Sequence, residues 1–115
     1  MTGIRITLGK IIVTATLNES RTAGLVAERL PFDAKARCWG SEVYFETPVE
    51  AEEEDAVPDV PSGTVAFWPP GNCLCLFFGQ RPASPVNVVG TIDGDPNVLA
   101  RVRDGDTVAV ARADE

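Results

Sequence analysis

The sequence predicts a mainly β fold, a closed eight-stranded barrel capped by two short helices, in a single domain over residues 1–115. Three observations lead there. Period-two alternation of apolar and polar residues recurs along most of the chain, and only two stretches switch to helical spacing. Eight strands in one open sheet would leave flat edges, which closure removes. With 115 residues, 44% of them apolar and 23% charged, the chain holds one real core and is too short for two ordinary domains.

Ile4, Ile6 and Leu8 alternate with Arg5 and Thr7, and Gly9-Lys10 then supplies a Gly-X hairpin turn. Val13, Ala15 and Leu17 continue the pattern in a second strand, with Ile12, Thr14 and Thr16 on its other side. From Ser20, a plausible N-cap, the period changes. Ala23, Val26, Ala27 and Leu30 form one apolar helical stripe that Pro31 ends, and Gly24 within it implies either close packing or a weak helix. Two more strands follow, one over 34–39 and one carrying Val43 and Phe45 opposite Glu42, Tyr44 and Glu46, with a break at Gly40-Ser41.

The segment from about 47 to 63 holds Pro48, Pro58, Pro61 and an acidic run, and it has no apolar period. It reads as a mobile acidic loop. Thr64 to Trp68 is a strand, Pro69-Pro70-Gly71-Asn72 a turn, and Cys73 to Phe78 a continuous apolar run that fits a strand covered on both faces. Val86 to Ile92 makes a further strand. Asp95-Pro96 opens a short helix with Val98, Leu99 and Val102 on its apolar side, and Val108 and Val110 alternate in the last strand.

Composition excludes several functions. With no histidine, Ser-His-Asp and Cys-His mechanisms and imidazole switches are ruled out. A net charge of −7 argues against a nucleic-acid partner. Glu50, Glu52, Glu53, Glu54 and Asp55 account for most of that charge, so the run is either a solubilising loop or a contact for a basic partner. No stretch is long and apolar enough to span a membrane and no signal segment opens the chain, so a cytoplasmic protein is expected. Cys38, Cys73 and Cys75 read as buried thiols rather than disulfides or a metal site, and neither metal nor cofactor is expected. Asp93, Asp95, Asp104 and Asp106 flank glycines in turns, without the spacing of a calcium loop.

The stretches Trp39 to Phe45, Phe67-Trp68-Pro69-Pro70-Gly71-Asn72, Leu74 to Gly79 with Pro82 and Ser84, and Val88-Val89-Gly90 resemble the small prokaryotic cyclophilin-like family of uncharacterised proteins. The likeness runs over about residues 3–92 and departs from the expected pattern at Thr64 and Cys73. It implies a helix-capped eight-stranded barrel and brings no established activity. True cyclophilins catalyse prolyl isomerisation with a Phe-His-Arg run and a Gln-Gly-Gly segment, and neither is present here.

Two functions of different class remain. One is binding of a peptide or small ligand in a cleft on the barrel, with Trp39, Tyr44, Trp68 and Phe78 as aromatic walls and Glu42, Gln80 and Arg81 as polar groups. The other is a peptidyl-prolyl isomerase with a non-standard site, which needs an apolar pocket and a donor aimed at the twisting amide. Trp39 and Tyr44 fall on the polar sides of their strands, which marks them for the surface. Phe77 and Phe78 read as core, and a glycosidase-like pairing of Glu42 with Glu46 is no more than an alternating exposed face produces.

Overall fold

The computed structural model describes residues 2–79, 82 and 84–113. β1 (Thr2–Leu8) and β2 (Ile11–Leu17) form the first hairpin, with Ile4 opposite Ala15 and Ile6 opposite Val13, so the alternating apolar residues share the inner face. The turn uses Gly9 at φ 61°, in the left-handed region that suits glycine. The helix α1 (Arg21–Glu28) starts where Ser20 accepts a hydrogen bond from the Ala23 N–H at 3.2 Å, and it buries Ala23 and Val26. Gly24 faces open space, so it weakens the helix and serves no close packing.

The strand expected over 34–39 is two strands, β3 (Phe32–Lys35) and β4 (Arg37–Trp39). Between them Ala36 is buried, its N–H donating to the Asp106 carbonyl at 2.8 Å and its carbonyl accepting from the Gly105 N–H at 2.7 Å. This break lets one chain segment serve two edges. The remaining strands are β5 (Glu42–Glu46), β6 (Thr64–Trp68), β7 (Cys73–Phe77), β8 (Asn87–Asp93) and β9 (Thr107–Arg112). Among the described residues the sheet therefore has nine strands rather than eight, in the order β3-β9-β1-β2-β8-β6-β7-β5-β4. Its two end strands are consecutive in the chain, so covalent continuity through Ala36 draws the sheet into a nearly closed barrel. Phe32 of β3 and Phe45 of β5 face across this seam with ring centroids 6.5 Å apart.

The barrel interior is filled by residues including Ile6, Leu8, Leu17, Phe45, Phe67 and Leu74, all buried. A 3-10 helix, Pro96–Arg101, is capped by Asp95 accepting from the Asn97 N–H at 3.0 Å, and it adds Leu99 to the core. β8 crosses β2 so closely that a Cβ on Gly90 would lie 2.4 Å from the Thr16 carbonyl oxygen, which leaves room for glycine alone. Among the described residues, no helix is long and apolar enough to cross a membrane.

The stretch between β5 and β6 is a strap fastened to the barrel. Val49 enters the core, and Val57 exchanges backbone hydrogen bonds with Val86 at 2.9 and 3.0 Å. Glu54 turns inward, its carboxylate accepting from the Arg21 N–H at 2.9 Å, the Thr22 N–H at 2.8 Å and the Thr22 hydroxyl at 2.7 Å. That carboxylate meets unsatisfied N–H groups at the start of α1, where negative charge is favoured. Its pKa is lowered, first by the Thr22 hydroxyl and then by the backbone N–H groups of Thr22 and Arg21. Asn87, buried on β8, accepts from the Glu54 N–H at 2.9 Å and donates to the Glu52 carbonyl at 2.9 Å, closing the network. Glu50, Glu52, Glu53 and Asp55 stay exposed, so one acid of the run is structural and four face solvent.

Candidate functional site

β5, β6 and β7 form a wall with two apolar faces. Val43, Phe45, Val65, Phe67, Leu74 and Leu76 point into the barrel, whereas Ala66, Cys73, Cys75 and Phe77 form a second buried cluster with Val86 on the outside. This explains the unbroken apolar run of β7, in which every residue is buried. Tyr44, Trp68 and Val60 of the strap pack against the outer cluster.

A cavity of about 270 Å³ opens on this outer face. Register builds it row by row. Trp39 lies opposite Glu42, and Glu42 opposite Phe77, while Tyr44 lies opposite Cys75. Each of the four neighbouring strands β6, β7, β5 and β4 thus contributes one aromatic ring to the lining: Trp68, Phe77, Tyr44 and Trp39. Pro82, Ser84 and Val86 close the far side.

Two details fix the walls. The Trp68 indole N–H donates to the Ser84 hydroxyl at 2.6 Å, and its ring lies over the Pro69–Gly71 turn, where a Cβ on Gly71 would be 2.5 Å from the indole. Glu42 is 8% exposed and its carboxylate accepts a hydrogen bond from the Cys75 thiol. Burial pushes that thiol far up, and the Glu42 charge and hydrogen bond add to the effect, so Cys75 stays protonated and is no nucleophile. The Cys73 thiol is also raised, by burial first and then by the Glu46 charge.

Four of the seven residues singled out from the sequence, Trp39, Glu42, Tyr44 and Trp68, meet in this one cavity. Gln80 and Arg81 lie outside the described residues. Phe78 packs against the barrel core and takes no part in the lining. Cys38 is exposed, contrary to the expectation of a buried thiol, because β4 is an end strand of the sheet with all three residues exposed; its N–H donates to the Asp104 carboxylate at 3.1 Å. Cys75, Phe77, Pro82, Ser84 and Val86 were missed. The alternation of Cys73, Cys75 and Phe77 with Leu74 and Leu76 was the available signal for two of them.

Chemically the site offers apolar walls, aromatic faces and one buried carboxylate. Among the described residues no arginine lines it, and no cluster of three or more His, Cys, Asp or Glu could hold a metal ion.

The chain matches a family model described as cyclophilin-like over residues 2–111. The solution structure of the hypothetical protein AF2241 from Archaeoglobus fulgidus superposes with a TM-score of 0.84 at 37% identity, over 97% of this chain and 95% of that one. The structure of McbB in complex with tryptophan superposes with a TM-score of 0.80 at 21% identity, over 97% of this chain and 45% of the other, which shows a common fold. No curated protein matches the chain. The protein belongs to the cyclophilin-like family.

Proposed function

We propose that this cyclophilin-like protein is a binding protein that holds a small ligand, or one side chain of an extended peptide, on the outer face of β5, β6 and β7. The observation that carries this reading is the cavity of about 270 Å³ bounded by four aromatic rings from four adjacent strands. Ligand sites are commonly concave, mostly apolar and furnished with a few placed polar groups, and Glu42 with Ser84 supplies those here. The volume suits one ring system or one proline. The tryptophan bound in the McbB structure makes aromatic amino acids the first ligands to try.

An isomerase with a non-standard site would need a donor aimed at the twisting amide. The described lining gives that reading no support, since it contains no arginine and the Trp68 N–H is already bound to Ser84.

The test is an amide NMR titration with tryptophan, phenylalanine and a proline dipeptide. Saturable shifts gathered at Tyr44, Cys75, Phe77 and the Trp68 indole N–H are expected for at least one of them. A spectrum unmoved by all three, at millimolar ligand, contradicts the proposal.

A further inference from the structure

We infer that the group entering the pocket carries a neutral hydrogen-bond acceptor, a carbonyl oxygen, which the Ser84 hydroxyl receives. This rests on the pocket being a binding site and adds the chemical class of what enters it. The polar side chains of the described lining divide into engaged and unengaged groups. The Glu42 carboxylate is engaged, with the Cys75 thiol among its partners. The Trp68 indole N–H donates to the Ser84 oxygen at 2.6 Å. Three hydrogens then have no acceptor among the described residues: those of the Ser84 hydroxyl, the Tyr44 hydroxyl and the Trp39 indole N–H. An apolar ligand covering such donors would strip their water and replace nothing, whereas a ligand that accepts satisfies them. Phe77, Pro82 and Val86 complete the lining with apolar surface, which suits a neutral acceptor better than an ion.

Ser84 is the best placed of the three donors. Its oxygen already accepts from Trp68, and a hydroxyl that accepts one hydrogen bond donates the next more strongly. That bond also fixes its position, because the indole is itself held over the Pro69–Gly71 turn. The Tyr44 hydroxyl has no such donor behind it among the described residues, and Trp39, 54% exposed, keeps access to water when the pocket fills. The result is a relay from the Trp68 N–H through the Ser84 O–H to a carbonyl oxygen. A hydrogen bond to that oxygen favours the planar resonance form of an amide, so the relay suits holding a ligand and not rotating its amide bond.

Acetophenone and α-methylstyrene are neutral, flat and nearly alike in shape, and differ in carrying an oxygen or a methylene group at one position. The hydrocarbon is the more hydrophobic, so apolar burial alone makes it the tighter ligand. NMR titration is expected to rank them the other way, with acetophenone binding about fivefold more tightly. Acetophenone is also expected to move the Trp68 indole N–H downfield, because donation by Ser84 strengthens the bond its oxygen accepts. Ser84→Ala is expected to reverse the order by weakening acetophenone alone, while Ser84→Thr, which keeps the hydroxyl, and Tyr44→Phe retain it. Tighter or equal binding of α-methylstyrene, a preference that survives S84A or one that vanishes in Y44F overturns the Ser84 assignment and leaves the pocket standing. Equal weakening of both ligands by S84A overturns it too, since Ser84 would then shape the wall without donating. If neither compound binds, the inference falls, and the titration with tryptophan, phenylalanine and the proline dipeptide judges the pocket separately.

Discussion

The two faces of the β5–β6–β7 wall are both apolar and are finished in opposite ways. Inside, Val43, Phe45, Val65, Phe67, Leu74 and Leu76 are packed until almost nothing is exposed. Outside, the rings stand around a cavity and a carboxylate is buried among them. Close packing maximises dispersion and apolar burial, so the inner face is built for stability. A void bounded by aromatic rings forgoes part of both. The outer face therefore keeps an arrangement that folding alone does not require, and this contrast points to binding.

The contrast can be broken first on the inner face. Phe67→Ala removes a fully buried ring and is expected to cost about 3–5 kcal/mol in chemical denaturation. A loss below about 1 kcal/mol would mean that the inner face is not the tightly packed side. Gly90→Ala comes next, because its Cβ would collide with the Thr16 carbonyl oxygen; overpacking of this kind costs about 1–3 kcal/mol.

The strap sharpens the comparison, since it carries Val60 onto the outer cluster and pairs Val57 with Val86 at the pocket's edge. Glu54→Gln is expected to lower stability at neutral pH by weakening the strap's hold on α1. The Glu54 carboxyl titrates below its ordinary value of 4.5 in the folded protein, so its contribution is present above that pH and is lost as pH falls through the folded value. The gap between wild type and E54Q should accordingly close on acidification. A gap that is constant with pH argues against the charged latch.

Smaller effects follow on the exposed surface. Gly24→Ala has room for its methyl group and should stabilise α1 by about 0.5–1 kcal/mol. Trp39→Ala should change stability by about 0.5 kcal/mol or less, because the residue is 54% exposed, yet it should weaken ligand binding. If thermal melts showed a large loss for W39A, the ring would belong to the fold rather than to the site.

Local chemistry made much of this visible in the sequence. The inward set of β1 and β2, the Ser20 cap, the Asp95-Pro96 helix start and the surface placement of Trp39 all follow from period and neighbouring residues. What stayed hidden depends on partners far along the chain. The break at Ala36 is made by hydrogen bonds to Gly105 and Asp106, and the strap is held by Thr22 and Asn87. Phe77 reads as core from the sequence and is fully buried, but a run buried on both faces gives no hint which of its residues back onto the outer cavity. Two of the nine described lining residues, Cys75 and Phe77, were hidden for that reason.

The central claim, that the outer face is the binding face, is tested most directly by the two indole N–H signals of the protein, those of Trp39 and Trp68. Titration with a ligand that binds should move both together, saturably and with one dissociation constant, while amides of the inner core such as Phe67 and Leu74 stay in place. Saturable binding that leaves both indole signals fixed and shifts residues elsewhere on the barrel would contradict it.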